Sequence, residues 1–321
     1  MGEGDLATPP DIRRYGLRQL EAVFDRPSIL KAVEQAFVDQ AGGRCRSATP
    51  THLTFPEGDC HIKCGYIVGG DSFTIKIVTG FYANEKRGLP NGSGLVLVLD
   101  QRSGLPRVLF DDGGWLTAWR TVAACVIAVQ IGHVAPPLHV GIVGSGQQAE
   151  LAARWLAATI APASLRVWAR SPEKAQSLAS RVGGGTRAEA DLPTLCLGSN
   201  VIVTATPSRV PLIRSDWVRP GTHVVALGAD NPGKVEIDPA LFSRATTIVT
   251  DDHGQCLHHG DFGAAVRAGA VAETADVSIG DLLRGSSAVR RHAQAISIVD
   301  LTGLGAQDDA IARLFLQRLE G

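Results

Sequence analysis

The stretch VGIVGSGQQAELAARWLAA, residues 140–158, decides the fold. Small and β-branched residues run into a glycine turn, and apolar residues then recur at helical spacing. A strand, a glycine turn and a helix in that order can hold a dinucleotide. Gly144 allows the tight turn, and Gly146 lets the backbone approach a pyrophosphate. Ala149 lets the helix pack closely on the strand, and the helix N-terminus attracts the negative charge. Two glycines alone are a weak signal, and the ordinary alternative is a tight turn with no ligand. The surroundings strengthen the reading. SLRVWAR reads as a strand, SPEKAQSLASRV as a helix, and NVIVTAT, THVVALG and TTIVTDD as further strands. Short apolar runs alternating with helices imply an α/β chain with a doubly wound parallel sheet covered on both faces.

The second strand of such a sheet ends beside the adenosine ribose. An acidic residue there reads the 2′-hydroxyl of NAD, and an arginine suits the 2′-phosphate of NADP. This chain has Ala169, Arg170 and Ser171, with no carboxylate before Glu173. Arginine pairs with phosphate and stacks on adenine, so NADP(H) is expected over NAD(H). A solvated Arg170 with NAD bound is the alternative.

Ahead of residue 138 the pattern differs. RPSILKAVEQAFVDQAGG has helical spacing, with Ser28 near its start and glycines at its end. CHIKCGYIV, SFTIKIVTGFY and SGLVLVLDQRSGLPRVLFD are β-rich runs divided by turn signals. WLTAWRTVAACVIAVQIG reads as a long connecting helix, broken by HVAPPLH, where the next domain is expected to begin. ISIVDLTGLGAQDDAIARLFLQRLEG closes the chain with a strand, a glycine turn and a helix.

A length of 321 residues accommodates one large or two medium domains, and a formal net charge of −1 gives no broad argument for nucleic acid or membrane partners. The apolar runs are strand-sized, far short of the roughly 20 residues of a membrane helix. MGEGDLATPPDIRRYG lacks the apolar core of a signal peptide, and Leu6 stands where a myristoylation signal needs Ser or Thr. A cytoplasmic location is expected. The six cysteines form no zinc framework, so no metal is expected. CHIKC (60–64) is strand-like and has no second pair. CLHHGD (256–261) reads as a polar loop rather than a chelate, because adjacent histidines diverge on a strand or helix.

IKIVTGF, LTAWRTVAA, GIVGSGQQA, TATPSRVPLI, GADNPGKVEID and LTGLGAQDDAIA occur in that order. Together they resemble the ornithine cyclodeaminase/mu-crystallin family, which includes cyclodeaminases, ketimine reductases and amino acid dehydrogenases. FTIKIVTGFYANEKRGLPNGSGLVLVLDQRSG is most similar to the ectoine-utilisation branch. The resemblance implies a Rossmann domain over 126–299. It also implies a split α+β substrate-binding and dimerisation domain from 1–125 with 300–321, a homodimer, and a small amino or imino acid substrate.

By motif, the resemblance makes Lys76, Arg120 and Asp230 the catalytic set. Lys76 lies near the substrate carboxylate or amine, Arg120 binds the carboxylate, and Asp230 is the acid/base. His52 stands where the family has a second substrate arginine. Thr121, Gln147, Gln148, Thr204, Thr206, Leu227, Lys234 and Thr302 join Gly144, Gly146, Ala149, Arg170 and Ser171 as cofactor-binding positions. Bland readings stand beside these roles: a surface charge at Lys76, a structural ion pair at Arg120, and a cap of the turn DNPG at Asp230. The expected activity is hydride transfer at the α-carbon of a small amino or imino acid. The alternative is an NADPH-binding protein with little or no catalysis, to which His52 points.

Overall fold

The computed structural model describes residues 11–287 and 292–321. Met1–Pro10, on which part of the signal-peptide and myristoylation expectations rests, lies outside them. The chain forms two compact units. One comprises residues 1–28, 44–117 and 305–321, and the other comprises 29–43 and 118–304.

The first unit is built on strands β1 (Arg13–Gly16), β2 (Cys45–Ser47), β3 (Thr51–Phe55), β4 (Gly58–Ile67), β5 (Ser72–Gly80), β6 (Gly92–Asp100) and β7 (Pro106–Asp111). They lie in the order β1-β7-β6-β5-β4-β2, with β3 paired to β4. All neighbours are antiparallel except β1 and β7. In β5, Ser72, Thr74 and Lys76 are buried while Phe73, Ile75 and Ile77 are half-buried, the two-residue period of a strand with unlike faces. The helix Gly305–Glu320 packs on β4 and β5. Its first residue lies so close that a Cβ on Gly65 would stand 2.9 Å from the Gly305 carbonyl carbon. Only glycine fits there.

The second unit carries β8 (His139–Val143), β9 (Ser164–Trp168), β10 (Arg187–Ala188), β11 (Val201–Thr204), β12 (His223–Ala226), β13 (Thr247–Thr250), β14 (Asp276–Ser278) and β15 (Ser297–Asp300). All pair in parallel, in the order β10-β9-β8-β11-β12-β15-β13-β14. The direction in which successive strands are added to the sheet reverses between β8 and β11, and ligands of such sheets bind at the carboxyl ends of the strands flanking that point. Every residue of β11, β12, β13 and β15 is buried, as a sheet covered on both faces requires.

Grouping 1–125 as one body differs from the observed units. Residues 29–43 fall with the parallel sheet. Gln40 Nε2 donates to Asp252 Oδ2 at 2.9 Å, and Gly280 leaves room for the Phe37 backbone and the Ala41 methyl. From Ala118 onward, the helix Trp115–Ile131 also belongs with that unit. His223 Nε2 reaches the Ala128 carbonyl at 2.8 Å, and the Trp119 and Trp155 rings lie 5.6 Å apart. No helix among the described residues is long and apolar enough to cross a membrane.

Candidate active site

The glycine turn follows β8 directly. Gly144 has φ +133°, and a Cβ there would meet the Ala205 carbonyl oxygen at 2.6 Å, so backbone conformation and space both exclude other residues. Gly146 opens the helix Gln147–Ile160 in extended conformation, with no side chain capping the helix. A Cβ on Gly146 would meet nothing within 4 Å, so the backbone faces open space on that side. The first turn of the helix therefore keeps N–H groups for an anion. Gln147 is exposed, Gln148 is half-buried, and Ala149 is buried beneath the turn. This cradle fits a pyrophosphate.

Arg170, just beyond β9, is exposed and has no side-chain partner among the described residues. Ser171 caps the next helix. Its hydroxyl accepts from Lys174 N at 3.2 Å and donates to Glu173 Oε2 at 2.6 Å.

At the carboxyl ends of β11 and β12 a carboxylate that the sequence reading missed organises the predicted residues. Glu236 is fully buried. It accepts from the Thr204 hydroxyl, the Thr206 hydroxyl, Thr206 N and Gly228 N, each at 2.7 Å. Thr204 and Thr206, expected to bind cofactor, direct their hydroxyls to this carboxylate. Leu227 N donates to the Thr204 carbonyl at 2.9 Å, which ties the two strand ends together.

Asp230 and Lys234 come together. Lys234 Nζ donates to Asp230 Oδ1 at 2.8 Å, with the lysine buried and the aspartate about a third exposed. The turn between them needs Gly233, at φ +81°. Thr302 also lies inside a network. Asp251 accepts from Thr302 N at 3.0 Å, Thr302 Oγ1 at 2.9 Å and Gly303 N at 2.6 Å. Arg120 is buried against this loop, and a Cβ on Gly303 would lie 2.5 Å from its Nη1. Thr121 is half-buried in the same helix.

CLHHGD is not a polar loop. It ends the helix His253–His259 and begins the helix Asp261–Arg267, with Cys256, His259 and Asp261 buried. Asp261 Oδ1 accepts from Glu236 N at 2.8 Å and Ile237 N at 2.9 Å. Four buried carboxyls thus share this end of the sheet. Burial raises Glu236 and Asp251 above the usual carboxyl range, against the donors that lower them. Burial and the charges of Asp300 and Glu236 push Asp261 well up, and burial carries Asp300 to about 7. No cluster of three or more His, Cys, Asp or Glu is placed to hold a metal among the described residues.

In the first unit, Lys76 is 2 % exposed and its ammonium lies 2.7 Å from Asp308 Oδ2. The surface reading of this lysine fails. Asp308, within the quoted LTGLGAQDDAIA, was not singled out, because its partner lies 232 residues earlier in the chain. His52, on β3, meets the His61 ring edge-on at 4.9 Å, and His61 Nε2 lies 3.2 Å from Asp59 Oδ1.

The model of the ornithine cyclodeaminase/mu-crystallin family matches residues 19–321. The chain belongs to that family. It is 35 % identical to an uncharacterized cyclodeaminase of Sinorhizobium fredii, over 98 % of this chain and 96 % of the relative. It is 34 % identical to the iminosuccinate reductase of Paracoccus denitrificans over 73 % of each chain. The crystal structure of that reductase with NAD+ matches with a TM-score of 0.82 and 26 % identity, over 96 % of both chains. An archaeal alanine dehydrogenase dimer with bound NAD matches with a TM-score of 0.85 and 28 % identity, over 96 % of this chain and 95 % of the other.

Proposed function

We propose that this family member is an oxidoreductase that uses a nicotinamide dinucleotide on a small α-amino or α-imino acid, as a ketimine reductase, amino acid dehydrogenase or cyclodeaminase. The open, uncapped helix start at Gly146 carries the reading, because it fits a pyrophosphate in a chain that matches its family along nearly its whole length. Two relatives of known structure hold NAD.

When bound, the nicotinamide supplies or accepts one hydride at the substrate α-carbon. In the reductive direction the C=N double bond becomes a single bond, and the nitrogen takes one proton. In this reading Asp230 delivers that proton, with Lys234 stabilising the carboxylate it leaves. The Arg120 guanidinium takes the substrate carboxylate in a two-pronged pair that fixes the α-carbon. Lys76, held in one position by Asp308, is a further substrate-binding residue of this reading. Arg170 favours NADP(H) over NAD(H), since its exposed fork suits a 2′-phosphate. The homodimer follows the alanine dehydrogenase, and light scattering of the purified protein tests it.

The central experiment follows NADPH and NADH consumption with a panel of imino acids, and ammonia release from diamino acids. Turnover of none of them, with NADPH bound tightly, would favour a cofactor-binding protein without catalysis. Asp230→Asn should lower kcat by about 10²–10⁴-fold. Arg170→Ala should weaken NADPH about 10- to 100-fold more than NADH. An equal loss for both would reject the 2′-phosphate role.

A further inference from the structure

A cavity of about 630 Å³ lies within the second unit, at the end of the parallel sheet away from the glycine turn. His139 begins β8, and Asn200, Thr222 and Ala293 stand ahead of β11, β12 and β15, so the cavity sits at the amino ends of these strands. At about 3.3 Å per residue, β8 puts roughly 16 Å between His139 and Gly144. Part of the polar wall is occupied in holding the strand ends together. The Asn200 side chain accepts from His139 N at 2.8 Å and donates to the Pro137 carbonyl at 2.9 Å, and Ser199 Oγ donates to the Leu195 carbonyl at 2.7 Å.

The rest of the polar wall is not used in this way. The Arg219 guanidinium and the His133 ring have no partner among the described residues, and no carboxylate among those residues lines the cavity. His292 Nδ1 accepts from Gln294 N at 3.3 Å, which leaves Nε2 to carry the ring proton and donate it. His139 meets Ser164 Oγ through Nδ1 at 2.9 Å, and its Nε2 has no partner among the described residues. His133 has φ +44°, a left-handed backbone that costs a residue with a side chain energy and clusters at ligand-binding positions. Val134, Leu197 and Ala293 give the cavity an apolar side. Four donor-bearing side chains from three separate segments thus line one space. A carboxylate is planar and is satisfied by one guanidinium fork, whereas the three terminal oxygens of a phosphate ester accept from several directions. The volume falls in the range of small-molecule sites, and the apolar side suits an organic body.

We propose that this cavity is a second ligand site, separate from the dinucleotide cradle, and that it takes a small organic phosphate monoester. Arg219 holds the phosphate in a two-pronged pair, and the imidazoles of His133, His139 and His292 donate to the remaining oxygens. The organic body lies against Val134, Leu197 and Ala293. No bond forms or breaks at this site, and it does not depend on the proposed reaction.

Calorimetry of the whole chain with phenyl phosphate tests the site, with and without saturating NADPH. One molecule should bind per chain in both conditions. Arg219→Met should weaken it about 10- to 100-fold. His133→Asn, which keeps a residue suited to the left-handed backbone, should weaken it about 3- to 10-fold. Both positions are exposed, so the thermal midpoint should stay at the wild-type value. Inorganic phosphate, benzoate and benzyl alcohol should each bind at least about 10-fold more weakly than phenyl phosphate. Binding that disappears when NADPH is present belongs to the dinucleotide cradle and would overturn the proposal. An unchanged affinity in Arg219→Met, equal binding of any of the three control compounds, or no binding of phenyl phosphate would overturn it as well.

Discussion

Two regions of this chain bury charge in opposite ways. On the antiparallel sheet, Lys63 and Lys76 face one another with His61 and His52 beside them, and Asp308 on the closing helix pairs with Lys76. At the carboxyl ends of the parallel sheet, Glu236, Asp251 and Asp261 lie buried together with Asp300 and accept from backbone N–H groups and threonine hydroxyls, although Asp261 Oδ2 and Asp300 Oδ1 receive no hydrogen bond. The carboxylates fix the loops that carry Thr206, Gly228 and Gly303, so their charge is directed inward to the chain. The lysines share one face of the sheet, and the carboxylate of Asp308 meets the Lys76 ammonium there. Buried charge is tolerated only where hydrogen bonds or opposite charges compensate it, and the two regions draw on different groups to do so.

That contrast can be broken most sharply at Asp308. Asp308→Ala leaves Lys76 buried without this partner and should cost about 3–5 kcal/mol in urea unfolding. A loss below about 1 kcal/mol would mean that Lys76 is stabilised mainly by other groups. Next comes Glu236→Ala, which removes the acceptor of four donors and should cost about 2–3 kcal/mol. Its signature is joint loosening of β11 and β12, read as faster amide exchange at Thr206 and Gly228. Unchanged exchange there would deny the carboxylate its tying role.

The smallest effect is a pH slope shared by the two regions. Burial carries Asp300, and Asp309 of the closing helix, from 3.8 to about 7. Each therefore binds its proton more tightly folded than unfolded. The stability it contributes is full below about pH 4, declines as pH rises towards 7, and levels off above that. Carboxylates held low by their donors, such as Asp100 beside Ser103, act in the opposite sense and only in the acid range below their ordinary value. Asp300→Asn and Asp309→Asn should each flatten the fall in urea midpoint between pH 4.5 and 7.5. Two variants with the wild-type slope would place its source elsewhere.

The sequence by itself determined the glycine turn, the succession of strands and helices around it, and the family, since each is written in neighbouring residues. Gly144, Gly146 and Ala149 act within six positions of one another, so their pattern carries its own meaning. Motif resemblance likewise singled out Lys76, Arg120 and Asp230. Tertiary structure alone decided what surrounds them. Glu236 collects donors about 30 positions away, and Asp308 reaches a lysine in a different strand. Lys63 faces Lys76 only through the register of β4 and β5, and a shift of one residue would turn it to the other face. The environment of a charge depends on which distant groups the fold brings near it, and no local pattern of residues encodes that.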